Sequence, residues 1–301
     1  MSSSTAADPA FYGRDTVRGG GIGSGDHAAH LLRRARRRTG PLMRAAIDTL
    51  PGELRVMAGY HLGWCDAEGT AVAEETGGGW WPALVLAAAA AAGGPTDAAL
   101  RAAAAVELVH HFTLIHDEAT DGDELRRGRP TVWRLWGVED AVLVGDALHG
   151  LAVWTLAAAP AAGLGAIAHL EDAVIEICLN RHRDRAEAAG PVASLDEFRE
   201  TLRHRSAPLL GCACAMGALC AGASAAGVAE MDRFGREIGV AFELWHRPPA
   251  RAAAFIARAG GEPWARAECR RQLRSASTML ARRHAEDLLT LANCAICRDY
   301  S

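Results

Sequence analysis

The feature that most constrains this chain is its helical periodicity. From Leu42 to about residue 297, Ala, Leu and Arg dominate, and all three are strong helix formers. Segments 42–62, 82–93, 96–118, 137–160, 164–188, 194–222, 228–247 and 263–297 each carry apolar residues at helical spacing. Pro and Gly punctuate them at Gly77-Gly78-Gly79, Gly93-Gly94-Pro95, Gly128-Arg129-Pro130, Gly190-Pro191 and Pro248-Pro249. Thr96-Asp97 and Ser194-Leu195-Asp196-Glu197 read as helix starts. Few stretches alternate with period two, so a sheet does not organise the fold. The pattern predicts an all-α bundle of roughly nine or ten helices without internal repeats.

Residues 1–26 are rich in Ser, Gly and Asp and read as a disordered N-terminal extension, leaving 27–301 as the helical domain. His27 to Arg38 carries Arg33, Arg34, Arg36, Arg37 and Arg38, a solvated basic face or, more sharply, a phosphate or partner contact. A net charge of −4 gives no reason to expect a nucleic-acid partner. The start, MSSSTAADPAFYGRD, lacks the basic-then-apolar order of a secretory leader. The cleanest apolar run, Pro82 to Gly93, is too short to span a bilayer, so no integral membrane segment is expected. Eight cysteines in contexts such as LLGCACAMGALC read as reduced core thiols of a cytoplasmic protein. There is no lysine, so all 32 basic side chains are Arg. Any role usually given to Lys falls to Arg or is lost.

One stretch carries chemistry: Glu107 to Asp121, followed by GDELRRGRPTVW. On a helix, Asp117 and Asp121 share a face, and His110 lies on it two turns earlier. The approach is apolar, through Leu108, Phe112, Leu114 and Ile115. Unpaired carboxylates at such a place repel and cost stability unless a cation joins them. Mg2+ accepts one or two carboxylates plus water and substrate phosphates. Arg126, Arg127 and Arg129 suit phosphate recognition. Together these residues point to a diphosphate head group on an apolar tail.

The run LIHDEATDGDELRRGRPT resembles the first aspartate-rich motif of trans-isoprenyl diphosphate synthases, the polyprenyl synthetase family. That pattern is Leu-x-His-Asp-Asp-x-x-Asp, a short loop, then Arg-Arg-Gly-x-Pro-Thr. GDAL at 145–148 and FGREIGVAFEL at 234–244 extend the likeness over most of residues 42–247. The resemblance implies an isoprenoid-synthase-type bundle around a deep apolar cavity, and prenyl transfer from an allylic prenyl diphosphate to isopentenyl diphosphate with Mg2+. Carried over, Asp117, Glu118 and Asp121 match metal ligands, with Glu118 in place of the second Asp. Arg126, Arg127 and His110 match substrate-binding positions. Arg205-Ser206 stands where the family has a catalytic Lys-Thr pair, so Arg205 takes the catalytic charge and Ser206 a substrate contact. The family's dimers imply a homodimer. Some members of the family are encapsulin-shell cargo with disordered N-terminal extensions, and the resemblance makes residues 1–26 a candidate tag of that kind.

The departures are as informative. Gly78 and Trp81 replace a Lys and an Arg that help hold isopentenyl diphosphate in the family. The family's Gly-Gln-x-x-Asp appears as Asn180-Arg181-His182-Arg183-Asp184, retaining Asp184. After Phe242 the second aspartate-rich motif is absent, and the chain reads Glu243-Leu244-Trp245-His246-Arg247-Pro248-Pro249. ARAAAFIARAGGEPWARAE then looks like the C-terminal helices, with a Lys-bearing loop and some helices missing between. Glu243 and His246, three apart, could ligate a metal, or Glu243 pairs with an Arg. Asn180, Asp184 and Glu187 echo the metal triad of terpene cyclases off by one position. The expectation is a prenyltransferase with impaired chain elongation. The alternatives are a class I terpene cyclase or diphosphate lyase, and a non-catalytic prenyl-binding subunit.

Overall fold

The computed structural model describes residues 22–72, 79–159, 163–187, 192, 194–246, 250–280 and 285–296. These form α1 (Ile22–Ile47), α2 (Gly52–His61) and α3 (Trp80–Ala91). A single 3-10 turn, Thr96–Ala99, leads into α4 (Leu100–Asp121). A short antiparallel hairpin, β1 (Leu125–Arg126) with β2 (Arg129–Pro130), follows. Then come α5 (Val132–Trp136), α6 (Val138–Ala157), α7 (Gly163–Glu187), α8 (Leu195–Arg203), α9 (Ala207–Cys220) and α10 (Ala225–His246). Three further helices, α11 (Ala250–Ala259), α12 (Gly261–Met279) and α13 (Glu286–Ile296), follow the Pro-Pro break. The all-α expectation holds, and three residues, 247–249, separate the end of α10 from the start of α11.

Several helix boundaries lie elsewhere than local signals put them. The sequence reading starts the helical domain at 27, but α1 begins at Ile22; residues 1–21 of the predicted extension lie outside the described residues. The sequence pattern treats 27–38 and 42–62 as separate stretches, but α1 runs through Gly40 and Pro41 to Ile47. Ala28, Leu31, Ala35, Thr39, Met43 and Ala46 recur every three or four residues and are all buried, so one continuous face meets the core. That burial outweighs one lost backbone hydrogen bond. Conversely, the single helix predicted over 194–222 divides into α8 and α9, with Pro208 in the first turn of α9. Ser194 caps α8 as predicted, accepting from Glu197 N at 3.1 Å.

The centre of the bundle is α4, packed against α3 and α6, while α9 nests among α3, α7 and α10. Ala102 to Val106, Leu108 and Val109 are each at most 1 % exposed. Small residues allow this closeness. A Cβ on Gly145 of α6 would lie 2.3 Å from Nε2 of His116 on α4, and one on Gly235 of α10 would lie 2.2 Å from the Leu210 carbonyl oxygen on α9. By length and composition alone, Thr96–Asp121 and Val138–Ala157 could each cross a membrane, which corrects the expectation that no segment qualifies. The apolar window of the first is 67 % buried inside the bundle, as in a core helix. Outside the core, α6 exposes Val142, Leu143 and Trp154, and α7 exposes Ile175 and Leu179.

The Gly235 contact gives a direct test of the packing. Gly235→Ala forces a methyl group into backbone on α9, which cannot rotate away. It should lower the unfolding free energy by about 1–3 kcal/mol, read as an earlier urea midpoint at unchanged slope. An unchanged midpoint would mean that α9 and α10 are not seated this closely.

Candidate active site

The acidic end of α4 is built against the helix's own electrostatics. The partial negative charge of a helix C-terminus disfavours carboxylates, and the last turn of α4 carries no basic residue. Asp117, Glu118 and Asp121 therefore need cations from elsewhere, and they find them on two different sides. Asp117 and Asp121 turn toward α7, where Arg181 pairs with Asp117 and its Nη1 lies 4.0 Å from Asp121 Oδ2. Glu118, about 100° further round the helix, turns the other way. Its Oε1 lies 3.4 Å from Arg126 Nε and its Oε2 lies 3.9 Å from His61 Nδ1. The structure thus sets Glu118 on the side of Arg126 and His61, apart from the two aspartates. Among the described residues, no three His, Cys, Asp or Glu side chains converge on one point. Asp117 and Asp121 remain as a pair that could hold one divalent cation, since both already converge on a single guanidinium.

The RRGRPT segment is explained by the hairpin it forms. Gly122 closes α4 in a left-handed conformation at φ 73°. Arg127 and Gly128 make the two-residue turn at φ 51° and 74°, matching a type I′ hairpin. Arg127 is the only non-glycine residue with positive φ among the described residues. Thr131 Oγ1 and Trp133 Nε1 both donate to the Asp123 carbonyl at 2.9 Å, and Tyr60 donates to the Pro130 carbonyl at 2.7 Å, fixing the hairpin base. Arg126, Arg127 and Arg129 thereby gather around a small pocket of about 30 Å³ with Tyr60, His61 and Glu118. Arg129 lies over the Tyr60 ring at 4.1 Å, donating to the Cys65 carbonyl. Arg126 donates to His61 Nε2 at 2.7 Å.

Behind this pocket runs a buried polar chain that the sequence reading missed. His61 Nε2 is 3.1 Å from His111 Nδ1, and His111 Nε2 is 3.6 Å from Glu107 Oε1, which accepts from Gly79 N. Glu107 Oε2 is buried without a hydrogen-bond partner. Burial holds His61, His110 and His111 well below the usual histidine range, and neighbouring positive charges lower them further. The same burial raises Glu107 and pushes Glu118 up to about 7, with Arg126 pulling the other way. His110 is half-buried, its ring 4.9 Å from that of Trp81. Trp81 is 4 % exposed, so the residue replacing a family cation covers His110 with an apolar face. Gly78, the other replaced cation position, lies outside the described residues.

On the opposite wall, Arg205 and Ser206 meet Glu243 of α10. Arg205 Nε lies 3.5 Å from Glu243 Oε2, and the Ser206 hydroxyl donates to Oε1. Glu243 is buried and raised by desolvation, with Arg205 the largest opposing influence and Arg181 and Asp184 within electrostatic reach. The Arg-paired alternative for Glu243 is thus the one seen; the side chains of His246 and Glu187 lie outside the described residues. Asn180 is buried, and Asp184 lies 3.8 Å from His204. A larger cavity, about 520 Å³, opens elsewhere, between α7, α9 and α10 beside His169, Cys212 and Asp232.

The polyprenyl synthetase family model matches residues 64–245. The chain belongs to the polyprenyl synthetase family. The match stops one residue before His246. The chain is 44 % identical over 215 residues to a geranylgeranyl diphosphate synthase of Mycobacterium tuberculosis, covering 71 % of this chain and 61 % of that protein. It is 33 % identical over 216 residues to a (2E,6E)-farnesyl diphosphate synthase of Mycobacterium bovis, covering 69 % and 60 %. The match thus spans about 60 % of the length of these curated relatives. The crystal structure of a polyprenyl synthetase from Streptomyces coelicolor aligns at a TM-score of 0.80 and 28 % identity, covering 89 % of this chain and 99 % of that one.

The raised Glu118 carboxyl makes a prediction with a defined sign. The folded protein keeps this proton up to about pH 7, whereas the unfolded chain releases it near its ordinary value of about 4.3. The stability this proton contributes is complete below about pH 4 and is lost as pH rises through about 7. Glu118→Gln should therefore gain on wild type by about 1–3 kcal/mol between pH 5 and pH 8, read by urea unfolding at both. Parallel pH profiles for the two proteins would rule out burial as the control on Glu118.

Proposed function

We propose that this protein is a prenyltransferase of the isoprenyl diphosphate synthase type in isoprenoid biosynthesis, with weak chain elongation. One observation carries the reading: Asp117 and Asp121 converge on a common cation at the end of a buried helix, beside an arginine-rich hairpin. In this reading Asp117 and Asp121 hold Mg2+, which fits a site of two carboxylates completed by substrate phosphate oxygens. When bound, the ion neutralises charge on the departing diphosphate of an allylic prenyl diphosphate. Arg126 and Arg127 serve the diphosphate groups from the hairpin. Arg205 and Ser206 line the facing wall, where Glu243 restrains both. His110 stays neutral behind Trp81 and lines the substrate wall without supplying charge.

Weak elongation follows from the cations that are absent. Isopentenyl diphosphate must be held while the allylic partner ionises, and Gly78 and Trp81 supply no charge for it. Each lost charge-assisted contact removes roughly 1.5–3 kcal/mol, so two weaken its binding by roughly two to four decades. Incubated with Mg2+, isopentenyl diphosphate and either geranyl or farnesyl diphosphate, the protein should turn over well below the ~1 s⁻¹ of ordinary enzymes. Binding of the allylic diphosphate should nonetheless require Mg2+ and be lost in Asp121→Ala. Turnover of ~1 s⁻¹ or more would refute the impairment, and a hydrocarbon product would favour a terpene cyclase instead.

The reading also implies a cytoplasmic homodimer, with residues 1–26 as a candidate encapsulin-shell tag. The exposed apolar side chains of α6 and α7, Leu143 and Ile175 among them, are the surface a second copy would cover. The double variant Leu143→Glu, Ile175→Glu should sediment as a monomer where the wild type sediments as a dimer. Unchanged dimers in the variant would move the interface elsewhere.

A further inference from the structure

Arg181 stands where a dication bound by Asp117 and Asp121 would have to sit. Its guanidinium pairs with Asp117 and approaches Asp121 at 4.0 Å, so one positive group satisfies two carboxylates a helical turn apart. It is held on α7, one turn from Asp184, and its charge also reaches Glu243 on α10. Arg181 is thus shared between the two walls of the site. Its side chain is 28 % exposed, as is that of Asp117, so it closes the mouth without being locked into the core. A guanidinium is always charged and presents several donors, which suits phosphate oxygens as well as carboxylates.

We propose that Arg181 is a resident counter-cation that blocks divalent-cation binding until a diphosphate arrives. In the substrate-free protein it neutralises Asp117 and Asp121, and a metal ion must displace it. A diphosphate entering between the walls offers the guanidinium a better partner, draws it off, and releases both carboxylates to the metal. Metal and diphosphate binding are then coupled, each raising the affinity of the other by the same factor. The inference rests on Asp117 and Asp121 being the divalent-cation ligands.

Binding of Mn2+, a paramagnetic stand-in for Mg2+, is followed by the loss of its free-ion resonance, with and without inorganic pyrophosphate. Without pyrophosphate, Arg181→Gln should bind Mn2+ roughly tenfold or more tightly than wild type, because a competing charge is gone. Arg181→Lys, which keeps the charge, should stay near wild type. Pyrophosphate should raise the wild-type affinity and close the gap. Circular dichroism of each variant confirms that it is folded. If Arg181→Gln gains nothing while Asp121→Ala abolishes binding, the carboxylate pair is the metal site and the blocking role of Arg181 is wrong. An equal gain with and without pyrophosphate overturns the hand-over. If Asp121→Ala leaves Mn2+ binding unchanged, or no variant binds Mn2+ at all, the metal assignment fails and takes this inference with it.

Discussion

Everything at this site depends on where α4 stops being apolar. Its first two-thirds is an Ala- and Val-rich rod enclosed by α3 and α6, and its last turns carry three carboxylates. Burial of the rod fixes the axis and rotation of the helix, because side chains that small leave little slack. Once the rotation is fixed, Asp117 and Asp121 must face α7, and Glu118 must face α2 and the hairpin. The macrodipole adds negative potential at that end. The surrounding elements answer with cations: Arg181 on one side, Arg126 on the other.

This division separates two environments one residue apart. The Asp117 side is partly open and ionic, suited to exchanging one cation for another. The Glu118 side is closed, with neutral histidines and a carboxyl whose proton burial retains up to about pH 7. A guanidinium beside a carboxylate in reach of water, as at Asp117, needs little desolvation. The same charge behind Tyr60 and the hairpin base is paid for by desolvation. The chain's lack of lysine sharpens the contrast. Arg205 meets Glu243 and Arg181 meets Asp117 through a broad guanidinium fork, where an ammonium would offer a point charge.

Much of this was legible in the residues. Helical periodicity determined the all-α class, because Ala, Leu and Arg at that spacing have no comparable alternative. The spacing of Asp117 and Asp121 determined that they share a face, and Gly128-Arg129-Pro130 marked a helix break beside arginines, whose hairpin turn only the structure showed. The same helical geometry already separates Glu118 from the aspartates, although the family pattern groups all three. Arg181 left a sequence signal too, a charge where the resemblance has a neutral Gln, but nothing in the string says which carboxylate it meets.

The tertiary structure decided the rest, since the partners lie far apart in the chain. Arg181 reaches Asp117 across 64 positions, and Arg126 reaches His61 across 65. The sequence pattern reads 27–38 and 42–62 as separate stretches, which the continuous buried face of α1 joins into one helix. His61, His111 and Glu107 look like isolated polar residues in apolar runs and become one chain only when α2, α3 and α4 pack. Helical propensity and motif spacing act over one or two turns, so the sequence by itself determined the elements and the residues they display. Which charge answers which carboxylate is set by how rigid helices pack, and that depends on the whole core at once.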